Sequence, residues 1–348
     1  MDQSELWQRI TQRSLLTMLL LVSSGCALLV PEPPATVVTP APSPPPIETP
    51  KVAADPLVVD LPAEPRPVAP HVAIVLSDSL PAYTDVASEL VGYLEDYSIY
   101  ELSNRTPRQT FAAIADSDAK LVVAVGLSAT KFAKSYSKVP VIFSQVFNVS
   151  ENGLIADDFK GVAALPPMEL QIKAWRELDP DIRDIGAILG EGHEDLIAEA
   201  DQAMKNQGIN FHYAVVQSDR QTLYVFNRLI RRLDGFLLFP DNRILSRAVL
   251  TEIMSDAARH QVQVAVFNES LLEHGATFSA SSVNSNIAEK IAIALNEILD
   301  GNIDDVAPLS ALSEIRIQTN PAMIRKFGLE VSAAGLSESV VADTECGT

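Results

Sequence analysis

From Val72 to Phe267 the chain repeats one unit: a short β-branched run, a turn, then an amphipathic stretch of helical period. The unit recurs through two tandem halves. Successive βα units build parallel sheets, and two such sheets in tandem leave a crevice at the carboxyl ends of their strands. The pattern therefore predicts an α/β protein of two Rossmann-like lobes with parallel sheets.

In the first half, Val72 to Leu76 is too short for a helix and apolar throughout, so it reads as a buried strand. Ser77-Asp78-Ser79 then turns into a helix with Val86, Leu90 and Leu94 on one face. Leu121 to Val125 is the next strand, ending at Gly126, with Ser128 placed to cap the following helix. Val139 to Phe143 ends at Ser144-Gln145-Val146. A helix carrying Leu170, Ala174, Trp175 and Leu178 bridges to the second half.

There the strands are Ile185 to Leu189, Phe211 to Val216, Phe236 to Phe239 and Val262 to Phe267, with striped helices between them. Ala276 to Ala280 leads to a long helix with Asn284 as cap and Ile287, Ile291, Leu295 and Ile298 as its buried face. Glu314 to Ile317 reads as a last strand, and Asn320-Pro321 opens a short helix closed by Gly328. The first lobe is expected over 71–180, completed by a return of 281–300, of 314–329, or of both. The second covers 181–280, and 331–348 reads as a disordered tail.

The amino terminus reads as an address. Arg9 and Arg13 precede an apolar run, Leu15 to Val22, followed by Ser23-Ser24-Gly25-Cys26. That order is a secretory signal, and the small residues before a cysteine resemble the lipobox of bacterial lipoproteins. The resemblance implies removal of 1–26 and acylation of Cys26. It departs at Ser23, where an aliphatic residue is usual, and in the acidic Asp2 and Glu5. An uncleaved anchor running on through Val30 is the other reading, although 16 residues fall short of the roughly 20 a span needs.

Both place the body outside the cytoplasmic membrane. If sorting resembles that of enteric lipoproteins, Ala27 points to the outer membrane. Over 27–70 the chain reads as a disordered linker. Pro31 to Pro70 holds 14 of the 23 prolines and no glycine, a semi-rigid polyproline spacer that reaches on the order of 100 Å.

Chemistry is sparse. The formal net charge of −19 repels phosphate backbones, so nucleic acid is not an expected partner. Cys26 and Cys346, the two cysteines, lie outside the lobes, which excludes a disulfide or a thiolate metal site within them. No glycine-rich phosphate loop is present, so no cofactor is implied. The five histidines do not stand at ligand spacing. His193-Glu194 begins like a zinc-protease motif, but Ile197 occupies the place of its second histidine. A cleft without catalytic equipment points to binding, not to an enzyme.

The order of segments resembles a known family. It is carried by Leu121 to Ala129 (LVVAVGLSA), Val139 to Phe143 (VPVIF), Gly161-Val162, Ile185 to Leu189 (IGAIL) and Phe239-Pro240-Asp241-Asn242. It continues through Val264 to Asn268 (VAVFN), His274-Gly275-Ala276 and Thr319-Asn320-Pro321 to Gly328-Leu329. In this order the blocks are similar to the tryptophan/tyrosine-type periplasmic binding proteins, the substrate-binding components of bacterial ABC transporters. The resemblance implies a type I periplasmic-binding-protein fold whose lobes close on a small molecule and deliver it to a permease. Carried over by position, it implies ligand loops at Ser77-Asp78, Leu127-Ser128-Ala129, Ser144-Gln145, Asp241-Asn242 and Asn268-Glu269.

The physics of those loops agrees, because all follow strand carboxyl ends. Amides at Ser128 and Ala129 open a helix suited to a ligand carboxylate, and Asp241 suits an ammonium. The chain departs from the family at Gln145-Val146-Phe147-Asn148, where a small residue and an Asp-Pro turn are usual. It departs again at Asn286-Ile287-Ala288, where a glycine is usual.

Two functions follow. One is a solute-binding lipoprotein serving an ABC-type importer, with an amino acid or similar ligand. The other is an outer-membrane scaffold or regulator that uses the same fold to contact an envelope protein partner.

Overall fold

The computed structural model describes residues 70–329, apart from 148 and 242, together with 339–341. The signal segment, Cys26, the proline-rich linker and most of the carboxyl-terminal tail lie outside the described residues.

Lobe 1 opens with β1 (Val72–Leu76), α1 (Pro81–Leu90), β2 (Tyr97–Glu101), α2 (Pro107–Ala115), β3 (Leu121–Val125), α3 (Leu127–Tyr136), β4 (Val141–Ser144) and β5 (Phe159–Val162). They form a parallel sheet in the order β5-β4-β3-β1-β2. The apolar runs at β1 and β3 occupy its centre and are buried on both faces, as a sheet covered by helices on each side requires. Two of these five strands escaped the sequence reading. In β2 (YSIYE) Tyr97 and Ile99 are exposed, so apolar residues do not mark its buried side. In β5 (FKGV) a lysine and a glycine break the apolar run.

Lobe 2 comprises α4 (Met168–Leu178), β6 (Asp184–Gly190), α5 (Glu194–Asn206), β7 (Asn210–Val216), α6 (Asp219–Leu229), β8 (Gly235–Leu237), α7 (Arg247–His260), β9 (Gln263–Val266) and β10 (Phe278–Ser281). Its parallel strands run β10-β9-β8-β6-β7. The chain then returns to lobe 1. In α8 (Asn284–Leu299), Ile287, Ile291 and Leu295 join the core formed by β1, β3 and α1. The two-residue β11 (Leu309–Ser310) adds an edge to β5. The last elements are β12 (Glu314–Thr319), α9 (Pro321–Phe327) and β13 (Ser339–Val341). β12 pairs antiparallel with β10, and β13 antiparallel with β12, so lobe 2 ends in a mixed edge.

Several boundaries differ from expectation. Helix α4, placed with the first lobe by the sequence, packs in lobe 2: Met168, Ile172 and Trp175 meet Ile182, Ile185 and Phe278. A helix's apolar stripe identifies a buried face but not which of two sheets covers it. The segment 314–319 joins lobe 2, and α8 alone of the two candidate segments brings a long apolar face back to lobe 1. Residues 339–341, read as part of a disordered tail, form an edge strand. Neither expected cap holds: Gly126, not Ser128, stands at the start of α3, and Asn284 is already the first residue of α8.

Three crossings join the lobes: 163–167, 282–283 and 311–313. Asn286, 2% exposed, ties two of them together. Its Oδ1 accepts from the amides of Ser313 (3.0 Å) and Glu314 (3.2 Å), and its Nδ2 donates to Ser313 Oγ (3.1 Å). Asn286 therefore clamps the start of α8 to the third crossing.

Candidate functional site: a cleft between the lobes

Parallel strands of both lobes point their carboxyl ends at one groove, the position expected of ligand sites in open α/β sheets. Its volume is about 630 Å³. Lobe 1 lines it with Tyr83, Leu127, Lys131, Gln145, Phe147 and Glu151. Lobe 2 lines it with Pro240, Asp241, Arg243, Leu250 and Phe267, among others. Phe147 and Phe267 meet edge-on across the groove, with ring centroids 6.3 Å apart.

The structure sorts the sequence-derived residues. Leu127, Gln145 and Asp241 line the cleft. Ser77, Asp78, Ala129 and Ser144 are not among the residues that line it. Ser77 Oγ accepts from the Ala129 amide (2.9 Å), so this helix N–H, proposed for a ligand carboxylate, is already bonded within the protein. Asp78 Oδ1 accepts from the Leu80 amide (2.8 Å). Burial, followed by the charge of Asp78, pushes the Tyr83 phenol up. Ser144 is fully buried, and its hydroxyl has no hydrogen-bond partner among the described residues.

Gln145 has φ 58°, a left-handed backbone that costs a non-glycine residue on the order of 1–3 kcal/mol. That turn presents Gln145 to the groove directly after β4. Ser128 is exposed but does not line the cleft. Asn268 and Glu269 lie in a separate groove on lobe 2, beside Ile317 to Thr319. Asn268 Oδ1 accepts from the Ser270 amide and starts a short turn, of which Leu271 lines the cleft. Asn242 lies outside the described residues.

Asp241 has a different setting from the one expected. It is 5% exposed, and its oxygens are taken up inside lobe 2. Oδ1 accepts from Arg243 Nε and the Arg243 amide (3.0 Å each). Oδ2 accepts from Arg243 Nη2 (3.0 Å) and the Gly190 amide (3.1 Å). Burial alone would push this carboxyl up, but the hydrogen bonds and charge of Arg243 outweigh burial and hold it below its ordinary value. A carboxylate so committed is not open to a ligand ammonium.

The residue that reaches the groove is Arg243, which sequence reasoning missed. Its Nη2 also donates to the Glu191 carbonyl (2.8 Å) and lies 3.2 Å from His193 Nδ1. Its Nη1 donates to Glu151 Oε1 (3.2 Å), a bond from lobe 2 to lobe 1. The loop Gly190 to His193 makes this possible. A Cβ on Gly190 would come 2.3 Å from Asp241 Oδ2, and one on Gly192 would come 2.6 Å from Glu151 Cδ. The Asp-x-Arg spacing was the available signal, since a single residue separates a carboxylate and a guanidinium that can chelate locally. Glu151 carried no comparable signal. Ser150 donates across the lobes to Asp195 close by. Among the described residues, no group of three or more histidine, cysteine, aspartate or glutamate side chains is placed to hold a metal.

Comparison with known proteins agrees with this architecture. Solved structures of other proteins share the fold. A conserved domain protein from Vibrio cholerae O1 biovar El Tor strain N16961 aligns at 16% identity and TM-score 0.54, covering 76% of this chain and 97% of that one. An ABC domain in complex with L-Trp from Streptococcus pneumoniae aligns at 14% identity and TM-score 0.54, covering 77% and 97%. A ligand-free, open substrate binding protein with adhesive properties from Clostridium difficile aligns at 14% identity and TM-score 0.62, covering 77% and 98%. No curated protein matches the sequence at a significant level. The profile of the ABC transporter substrate binding protein family matches residues 96–341, well over half the chain. With its two-lobed type I periplasmic-binding fold, this chain belongs to the ABC transporter substrate binding protein family.

Proposed function

We propose that this chain binds a small molecule in the inter-lobe cleft and serves an ABC-type importer from outside the cytoplasmic membrane, held there through Cys26. The cleft itself carries the reading. At about 630 Å³ it has the size of a small-molecule site, and it combines an apolar wall with a few placed polar groups. Its walls come from two lobes joined by three short crossings, the arrangement hinge closure requires. The aromatic pair Phe147–Phe267 and the L-Trp held by the pneumococcal relative favour an amino acid or a similar compact molecule. No step of chemistry is assigned: the proposed role is capture and release.

Calorimetry with a panel of amino acids and small organic acids tests this directly. Binding in the micromolar range is expected, lost on Phe147→Asp, which puts a charge in the apolar wall. A panel without a single ligand would refute the reading. For the anchor, incorporation of labelled palmitate by the wild type but not by Cys26→Ser is expected. Labelling of neither would remove the lipoprotein assignment and leave the cleft untouched.

A further inference from the structure

Arg243 is held in an unusual way for a residue at a cleft surface. Of its five N–H donors, those on Nε and Nη2 are committed to the floor of lobe 2, where Asp241 and the Glu191 carbonyl accept them. The remaining nitrogen, Nη1, faces the groove, and the side chain keeps 42% of its surface exposed. Asp241 is nearly buried behind it. The guanidinium is thus a fixed fork with one face sealed and the other turned toward the opposite lobe, and little side-chain entropy remains to be lost when something binds it.

What occupies that face is a carboxylate, Glu151, brought over from lobe 1. Its side chain is 40% exposed and lies against Gly192, where the absence of a Cβ leaves it room. An ion pair with both members this exposed is weak, because water screens it and two side chains must be held in place. Beside it the groove is apolar, with Phe147, Phe267, Pro240 and Leu250.

Resting on the solute-binding reading, we propose that the ligand is a small carboxylic acid with an apolar or aromatic body. Its carboxylate takes the place of Glu151 on Arg243, and its body lies along the Phe147–Phe267 wall. Arg243 is then the anion-recognising residue of the cleft, Asp241 its positioning residue, and Glu151 a built-in competitor that occupies the fork until the ligand arrives. An exposed intramolecular pair is exchanged for a ligand pair that the closing lobes desolvate, which strengthens it.

The roles make opposite predictions for the two members of one ion pair, which a merely structural bridge cannot do. The probes are L-tryptophan, L-phenylalanine and 3-phenylpropionate, each compared with its carboxamide by calorimetry on the full body of the protein. Wild type is expected to prefer an acid over its amide by about tenfold to a hundredfold, the worth of a charge-assisted hydrogen-bond pair. Arg243→Gln should abolish that preference, and Arg243→Lys, which keeps a counter-charge for Asp241, should retain a reduced one.

Glu151→Gln should tighten acid binding several-fold and widen the preference for an acid over its amide. If acid and amide bind the wild type alike, or if Glu151→Gln weakens acids as Arg243→Gln does, the proposal fails while the solute-binding reading stands. Binding of none of the probes would overturn the proposal. Continued binding of other molecules from the broader panel would then keep the solute-binding reading alive.

Discussion

The two walls of the cleft are built by the same βα unit and yet meet a ligand differently. On lobe 1 the strand ends deliver hydroxyls and amides that are largely satisfied within the lobe, as Ser77 on the Ala129 amide shows. Its contribution to the groove is the side chains of Tyr83, Leu127, Lys131, Gln145, Phe147 and Glu151. On lobe 2 the loop after β6 and the turn after Phe239 fold around one ion pair, Asp241–Arg243, which 50 residues of intervening chain bring to the Gly190–His193 loop. Both walls carry apolar area and charged side chains, and lobe 2 adds a guanidinium held in place from within its own lobe. Discrimination between ligands should therefore reside in lobe 2, and lobe 1 should set how well a ligand is covered. The same division should appear in stability, since each lobe has its own cores on the two faces of its sheet.

The largest effect separates those cores. Phe143 on β4 is fully buried, stacked 5.5 Å from Phe159, so Phe143→Ala should cost lobe 1 about 3–5 kcal/mol. Trp175 reports on lobe 2, where it packs 5.2 Å from Phe278 and donates from Nε1 to Gln263 (2.8 Å). It is one of two tryptophans in the chain, so a Trp7→Phe background leaves it the single tryptophan emitter. In urea, Phe143→Ala should lower the midpoint followed by far-ultraviolet circular dichroism and leave the Trp175 emission midpoint nearly in place. Equal shifts in both signals would show a single cooperative unit and dissolve the division into lobes.

The division was legible in the chain only where burial is two-sided. Val72 to Leu76 and Leu121 to Val125 announce themselves because central parallel strands are covered on both faces. The edge strand β2 hides because its tyrosines and Ile99 face outward as much as inward. Loop positions Leu127, Gln145 and Asp241 were reachable from the rule that strand carboxyl ends form the crevice. Arg243 was not, because its role depends on a loop some 50 residues earlier and on Glu151 from the other lobe. Asn268 and Glu269 obeyed the same rule and still missed the cleft, although Phe267 and Leu271 on either side line it.

A smaller effect concerns the joint between the walls. Asn286→Ala leaves the Ser313 and Glu314 amides without their acceptor near two of the three crossings. Loss of about 1–3 kcal/mol is expected from buried donors left unpaired. Because the clamp sits at the hinge and outside both walls, the acid-over-amide preference should survive in this variant even as overall affinity changes. A change in preference would mean that the hinge, and not lobe 2 alone, sets discrimination.

The smallest effect is a slope in pH. Asp184 and Asp241, both on lobe 2, are held below their ordinary carboxyl values. Asp184 is lowered chiefly by the hydrogen bond from His212, at 2.7 Å. At Asp241, burial is overcome by Arg243. A depressed folded-state value means that the unfolded chain binds the proton first on acidification. The stabilisation is complete above the unfolded value near 4 and drains away as the pH falls through the lower folded values. The Trp175 midpoint in urea should accordingly decline between pH 5 and 3, and Asp241→Asn should flatten the decline because that proton linkage is gone. An unchanged slope in Asp241→Asn would place the acid sensitivity elsewhere and remove the evidence that the Arg243 pair is preformed in the folded protein. A flattened slope would identify lobe 2's charge as an element already in place before any ligand arrives, which is the property that separates it from the wall opposite.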